Sequence, residues 1–440
     1  MHDEISFTMK ILFINQCYWP DSAATAQILT DLAEELALKG HEVTVICSRK
    51  SYSEQSASYP KADIHKGVTI RRIANTGLGK EAGMMGRFVD AFCYFVGTLF
   101  VTLTMRKQDV IVTLSSPPLI GIVGRISQVI RRTFHVHWCM DIFPDNGVEF
   151  GVIRRDGWAH KTCAAIASFY LKSADITAVL SKYMAARIKQ YGVDDASIRI
   201  IPVWTDGRKL KPVKSEDNWF VKKYSLQNKF VVMFSGNLTY GGDIKTIIDT
   251  LAQLRSDKDI VFILISQGSR FDEFRSMSQA RGLDNVLFLP FQKREELSYS
   301  LSAAHVHLIT NKKGLEGIRE PCKVYGILAA GRPFVLIGDP RCDAGDIAFE
   351  HDVGIVVDEG DTAKLASTIH NLKHAPGKWK QMCLAGREIF EKRYDAIYAI
   401  NCFENVLLNT CKSRTSPSTI LKNRHEVERE VKIAHGNKNG

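Results

Sequence analysis

The chain carries no Cys-x-x-Cys pair: its ten cysteines are scattered along 440 residues, and no signal-peptide pattern opens it. That spacing argues against a disulfide framework or a cysteine zinc site and predicts reduced thiols in the cytoplasm. The first strand-to-helix turn lacks G-x-G-x-x-G, which speaks against a dinucleotide redox cofactor. RRM, zinc-finger and helix-turn-helix signatures are missing, so nucleic acid ranks last among anionic partners. No apolar run comfortably reaches the about 20 residues of a membrane span. The longest, residues 88–104, is slightly short and carries Asp90.

What is present is an ordinary soluble composition, 45% hydrophobic and 24% charged, with a formal net charge of +10. Such a basic balance suits anionic lipid or phosphorylated small molecules. The length predicts two domains of roughly 200 residues each. Apolar runs bounded by polar residues read as buried strands at 10–15, 42–47, 68–73, 110–114, 134–138, 176–179 and 198–203, with 48–66 as a long loop. Helical patterns separate most of these runs, so the first unit is βαβ with a parallel sheet and right-handed crossovers. Residues 158–172 form a long amphipathic helix, and Ser181 caps another over 183–191. The second half repeats the scheme with strands at 230–234, 261–265, 286–289, 306–309, 334–337 and 355–357. The expected organisation is an N-terminal Rossmann-like domain (1–205), a linker (206–229), a C-terminal Rossmann-like domain (230–385), a terminal helix (386–410) packing back on the first domain, and a flexible basic tail (411–440). Met9, directly before the first strand, offers an alternative start.

Residues 314–335, GLEGIREPCKVYGILAAGRPFV, organise the second half. They place two carboxylates (Glu316, Glu320) and Lys323 between a strand and a helix that Gly331 and Pro333 terminate. In an open α/β sheet that is where phosphates and nucleotides are held. A solvated loop is the competing reading. The run 88–104, flanked by Arg87, Arg106 and Lys107, admits three readings: a helix packed on the sheet, a helix lying in a membrane interface, or a span. On residues alone, the chain is a nucleotide-binding two-domain α/β protein.

Five collinear blocks sharpen this. Residues 20–49 (PDSAATAQILTDLAEELALKGHEVTVICSR) resemble the first βαβ of bacterial family 4 glycosyltransferases. The segments IPVWTDGRKLKP, FSGNLTYGGD, NVLFLPFQKREEL and GLEGIREPCKVYGILAAGRP resemble the linker and donor-domain blocks of the branch that builds exopolysaccharides and surface antigens. The likeness runs from about residue 9 to residue 410. It implies a GT-B fold, α/β, with two facing Rossmann-like doubly wound domains and a cleft between them. It also implies a retaining, metal-independent transfer from a nucleotide sugar, UDP- or GDP-linked, to a lipid-linked or oligosaccharide acceptor. No cofactor is expected, in keeping with the lack of a convincing D-x-D pair for Mg²⁺ or Mn²⁺. The expected location is the cytoplasm, peripherally at the cytoplasmic face of the inner membrane.

Without a metal, the leaving diphosphate needs cations and backbone amides. The resemblance makes Lys323 that cation, with Gly236 and Asn237 offering backbone donors and Gly268, Glu316, Glu320 and Tyr325 completing the donor set. Asp141, in the D-x-x-P element Asp141–Pro144, matches a position that orients the acceptor hydroxyl; a loop-capping role is its alternative. His137 shares a strand face with His135 and is the second catalytic candidate, with a structural histidine as the other reading. Tyr18, Asp21 and Thr25 in the first loop would face the acceptor. Trp19 and Trp204 can stack on sugar or simply pack. Two departures from the family stand out: the usual glutamate pair would fall at Ile318 and Gly326, and the usual basic pair near Asn237 and Gly241. None of the four has the expected charge. A GT-B-like epimerase or a degenerate regulatory subunit are the alternative functions.

Overall fold

The computed structural model describes residues 8–51, 58–74, 83–238, 242–268 and 270–415. The first half builds β1 (Lys10–Ile14), α1 (Ala24–Leu38), β2 (Glu42–Ser48), β3 (Ala62–His65), β4 (Val68–Ile73), α2 (Gly83–Thr104), β5 (Val110–Thr113), α3 (Gly121–Arg131) and β6 (Phe134–Trp138). It continues with α4 (Asp145–Glu149), α5 (Trp158–Ser173), β7 (Ile176–Val179), α6 (Lys182–Gln190) and β8 (Ile198–Ile200). After α7 (Trp219–Lys223) come β9 (Phe230–Ser235), α8 (Ile244–Gln253), β10 (Ile260–Ile265), α9 (Phe271–Ala280), β11 (Val286–Leu289), α10 (Leu297–Ser302) and β12 (Val306–Asn311). The chain then forms α11 (Lys323–Ala329), β13 (Phe334–Gly338), α12 (Asp343–His351), β14 (Gly354–Val357), α13 (Thr362–His374), α14 (Pro376–Ile389) and α15 (Ala396–Thr415).

Two sheets result. The first runs β3-β4-β2-β1-β5-β6-β7-β8 and the second β11-β10-β9-β12-β13-β14. Pairs β1·β2, β1·β5, β2·β4 and β5·β6 are parallel, as are all the paired strands of the second sheet. Both faces of a parallel sheet are covered by helices, which is why β5, β6 and β13 are buried throughout. In the second sheet β9 and β12 lie side by side, with Val306 against Val232. There the strand order reverses, so the loops leaving their carboxyl ends border a crevice of the kind that takes ligands.

Two expectations are corrected. The segment 48–66 is not loop throughout, because its last residues form β3, antiparallel to β4. This edge strand buries no side chain fully and so carries no apolar signal. Lys66 and Gly67, with φ of 45° and 82°, turn the hairpin. At the other edge β8 stops at Ile200 instead of running to residue 203. Residues 205–229 carry Phe220, Val221 and Leu226, which pack against Val231, Met233 and Ile263 of the second sheet. Of the expected tail, residues 416–440 lie outside the described residues. The run 88–104 lies within α2, and among the described residues no helix is long and apolar enough to cross a membrane.

By contacts the chain divides into two units, the described parts of Met1–His137, Ser173–Thr177 and Asn401–Gly440, and of Trp138–Lys172 and Ala178–Ile400. In the first, α15 is tied to the end of α1: Lys39 Nζ donates to Asn401 Oδ1 at 2.6 Å and pairs with Glu404, whose other oxygen lies 3.1 Å from His41 Nε2. In the same unit α3 passes so close to β6 that Gly124 leaves no room for a side chain. An added Cβ would stand 2.1 Å from His135 Nε2, an atom already bonded to Thr113 Oγ1 at 2.8 Å. Gly124→Ala is therefore expected to destabilise the unit by about 1–3 kcal/mol despite its better helix propensity. A urea melt followed by far-UV circular dichroism checks this, and an unchanged midpoint would contradict the packing described.

Candidate functional site

The crevice at the second sheet's switch point is built from three loops. Leaving β9, the chain turns at Gly236, whose φ of 132° strongly favours glycine. Its N–H donates to Ile265 O at 2.9 Å, and Ser266 Oγ donates to its carbonyl at 2.7 Å. Leu238 N–H continues the pairing to Gln267 O at 2.8 Å. Gly268, with φ of 117°, lies so close that an added Cβ would sit 2.6 Å from Leu238 O. Both glycines are thus needed to lay one loop on the other, and Asn237 is left exposed at the surface.

Lys323 comes to the same place from the opposite side. At the start of α11, its Nζ lies 3.5 Å from the centroid of the Phe234 ring. A side chain built on Gly236 would meet Cε and Nζ of Lys323 at 3.3 Å. The ammonium therefore hangs over the backbone of the β9 turn. Half-burial strips it of water, and the guanidinium of Arg319 adds repulsion, so its pKa is pulled down to about 7. Burial also lowers Arg319, whose guanidinium stacks over Phe150 at 5.4 Å. Two poorly hydrated cations acting on one another make a place for an anion.

Arg319 has a second neighbour. The exit loop of β6 is pinned to the loop after β12 by Ile142 N–H donating to Ile318 O at 3.0 Å. This places Asp141 within the field of Arg319. Burial raises the Asp141 carboxyl above its ordinary range, and the guanidinium works against that rise. Asp141, Arg319 and Lys323 are therefore electrostatically coupled in turn.

The two loop glutamates have different surroundings. Glu316 is paired with Arg341, which also holds Asp339 through Nε at 2.9 Å. Glu320 is buried, and both of its oxygens are engaged. One is hydrogen-bonded to Ser181 Oγ, and the other accepts Asp343 N–H at 3.0 Å, at the start of α12. Ser181 also caps α6 by accepting Met184 N–H at 3.1 Å. Tyr325 OH donates to Asp343 Oδ2 at 2.6 Å, and Tyr183 OH to Asp346 Oδ1 at 2.8 Å. Burial, then the neighbouring Asp343 carboxylate, raises the Glu320 carboxyl well above its ordinary range. Burial raises Asp343 as well.

The remaining candidates belong to the first unit. Tyr18 is buried, its hydroxyl has no hydrogen-bond partner among the described residues, and its carbonyl accepts Asp21 N–H at 3.0 Å. Asp21 accepts Ala23 N–H at 3.2 Å and Ser51 Oγ at 3.3 Å. Thr25 is half-buried in the first turn of α1. His137 is buried on β6, its Nδ1 3.0 Å from Thr113 Oγ1, and burial pushes its pKa down to about 3, so it is neutral near pH 7. His135 shares Thr113 and is likewise pushed to about 3. Trp19 stacks on His65 with ring centroids 3.8 Å apart. In the second unit Trp204 stacks on Trp138 at 5.6 Å.

The structure thus brings Gly236, Gly268 and Lys323 to one locus, and gathers Glu320 and Tyr325 around Asp343. Sequence reasoning passed over Arg319, although it stands inside the singled-out loop. The vacancy of the usual basic pair was the signal that another cation had to be sought. It also had no means of joining Asp343, Asp346 and Tyr183 to Glu320.

Comparison with known proteins gives concordant matches. The Glycosyl transferase 4-like domain family matches residues 24–204, and the Glycosyl transferases group 1 family residues 215–388. The chain is similar to the "Probable glycosyltransferase WbjE" of Pseudomonas aeruginosa, 25% identical over 284 residues, which are 64% of this chain and 70% of that protein. It is also similar to the "Putative colanic acid biosynthesis glycosyl transferase WcaI" of Escherichia coli K12, 24% identical over 353 residues, 77% of this chain and 86% of that protein. Among solved structures, Anabaena HepE in complex with UDP and glucose superposes with a TM-score of 0.70 at 18% identity, covering 91% of this chain and 100% of that one. The fold is GT-B, as the sequence implied.

The Ser181–Glu320–Asp343 cluster makes a pH-dependent contribution whose sign can be worked out. A glutamic acid raised in the folded state favours folding below its ordinary pKa of 4.5, and that contribution is lost as pH rises through the folded value. Glu320→Gln keeps an acceptor for Asp343 N–H and a partner for Ser181 Oγ without the charge. The variant's unfolding midpoint is expected to fall less than the wild type's between about pH 5 and pH 8. Parallel profiles from thermal melts across that range would refute this assignment.

Proposed function

Because the chain belongs to the group 1 glycosyltransferases, we propose that it serves surface polysaccharide biosynthesis, as its relatives' names suggest, by transferring a sugar, with retention and without a metal, from a nucleoside diphosphate sugar to a lipid-linked glycan acceptor. The observation that carries the donor half is the Lys323 ammonium, held over the Phe234 ring and against Gly236, with Arg319 acting on it. A diphosphate arriving there supplies the charge that these cations lack. UDP is the leading nucleotide, since HepE is a structural neighbour whose complex holds UDP and glucose.

In this reading the acceptor hydroxyl attacks the anomeric carbon on the face the diphosphate leaves, and the leaving phosphate oxygen takes the proton. No protein nucleophile is required. Lys323 and Arg319 stabilise the charge that develops on the diphosphate, where a preorganised and poorly solvated cation is most effective. Gly236 lets the backbone approach the phosphates. Glu316 takes the ribose hydroxyls in preference to Glu320, whose oxygens are already bonded. Asp141 orients the acceptor hydroxyl, His137 supports the β6 exit as a neutral group, and Tyr18, Asp21 and Thr25 line the acceptor side. A lipid-linked acceptor places the protein peripherally at the cytoplasmic face of the inner membrane.

The test is a thermal-shift titration with UDP, GDP, ADP, dTDP and CMP, with and without EDTA. A nucleotide at 100 times its Kd adds about 2.7 kcal/mol of stability. One nucleotide is expected to stabilise the wild type, to do so equally in EDTA, and to lose its effect in Lys323→Ala. Stabilisation by none of them would favour a partner-dependent subunit instead. The pH dependence has a definite sign. Lys323 must be protonated to hold the diphosphate, so affinity weakens as pH rises above about 7, where the terminal phosphate is already fully charged. A titration showing tighter binding as pH rises above that value would exclude Lys323 as the phosphate cation.

A further inference from the structure

Helix α2 is apolar on two faces. Its inner face carries Tyr94, which is fully buried and donates its hydroxyl to Ile46 O at 3.0 Å, and lies against a core containing Leu12, Ile14 and Ile111. Its outer face carries Phe88, Phe92, Val96 and Phe100, which are 68%, 60%, 47% and 68% exposed. The spacing is four residues throughout, so these side chains form one stripe along the helix. At 1.5 Å per residue the stripe is about 18 Å long. Helix α3 packs beside α2, and Arg131 fastens its end by donating to Leu103 O and, at 2.6 Å, to Met105 O. Near that junction α3 adds Val129 and Ile130, 59% and 61% exposed. Arg106, Lys107 and Arg132 are exposed at the same end.

A water-soluble helix normally turns polar residues to solvent, so three phenylalanines in register on an outer face call for a non-aqueous occupant. We propose that the outer faces of α2 and α3 form a docking surface for an anionic bilayer, with the Phe88–Phe100 stripe inserted among the acyl chains and Arg106, Lys107 and Arg132 against the headgroups. The charge of the surface chooses this occupant. Basic residues beside an apolar face complement phosphatidylglycerol-type headgroups but would repel the same patch of a second copy. The chain's net charge of +10 acts in the same direction. Helix α2 lies in the plane of the interface, since its inner face is already occupied by protein. The inference rests on the membrane-side reading proposed above and gives it a surface.

The test is flotation of the full chain with vesicles of phosphatidylethanolamine and phosphatidylglycerol, and with phosphatidylcholine vesicles. Two variants accompany it: Phe88→Gln/Phe92→Gln/Val96→Gln/Phe100→Gln, which keeps helix-forming residues on an exposed face, and Arg106→Glu/Lys107→Glu. The wild type is expected to float with the anionic vesicles, the four-glutamine chain to bind at least about tenfold more weakly, and the charge-reversed chain to lose the salt-sensitive part of binding. Nucleotide binding by thermal shift is measured on the same samples and is expected to be unchanged in both variants. Failure of the wild type to float, or flotation of the four-glutamine chain at the wild-type level, overturns the proposal. A wild-type dimer that the four glutamines split, without flotation, also overturns it and assigns the stripe to a second copy. Flotation without nucleotide binding sinks the donor reading and leaves the docking surface standing.

Discussion

The loop that presents Lys323 depends on one buried carboxyl. Glu320 receives the first amide of α12 on one oxygen and meets the capping serine of α6 on the other, so a single side chain fixes the starts of two helices and the end of the loop between β12 and α11. A buried carboxyl left without such partners would cost about 1–3 kcal/mol or more. With them, and with burial holding it toward the neutral form, it becomes a joint. Pro321 follows directly and Lys323 two residues later. The position of the ammonium over Phe234 is thus set by chemistry that never touches it.

That arrangement explains why the site can be both strained and specific. An ammonium pulled down to about 7, an arginine whose charge burial opposes, and an aspartic acid raised by burial are each held in an environment that disfavours their charged form. In a free protein this is destabilising, and the rest of the second sheet, with Val231, Val232, Ile263 and Leu336 fully buried, bears it. In the transfer proposed above, an entering diphosphate would offset the cost of burying both cations, and their poor solvation would let them act strongly on the leaving group, since little water needs to be displaced as charge develops. A well-hydrated surface lysine would lack that leverage.

Most strands were legible because parallel strands covered on both faces must be near-continuous apolar runs, and β1, β5, β9 and β13 are such runs. β3 was not, because an edge strand that buries no side chain has no reason to be apolar. Lys323 was singled out by its place at the junction of a strand-end loop and a helix and by the likeness of its block to the family's donor-domain loop, with a solvated loop as the competing reading. The partners of Glu320 were hidden by distance, since Ser181 lies 139 residues earlier in the chain. Arg319 stood in view between two glutamates and was not singled out. In space Glu316 turns to Arg341 and Glu320 to Ser181, which leaves Arg319 to act on Lys323 and Asp141.

Helix α2 shows the limit of a hydropathy window. The run scores as nearly membrane-spanning because two different demands are summed in it. Tyr94 and its neighbours answer to the sheet beneath, whereas Phe88, Phe92, Val96 and Phe100 answer to whatever lies outside. Averaging over the helix merges the two faces and returns an intermediate value that fits neither a soluble helix nor a span. Only the burial pattern separates them, because it shows which residues of the run the protein itself has already used. What remains is a row of four at a fixed spacing, too regular to be spillover from core packing. A helix that satisfied the sheet alone would have lost those phenylalanines at no cost to the fold.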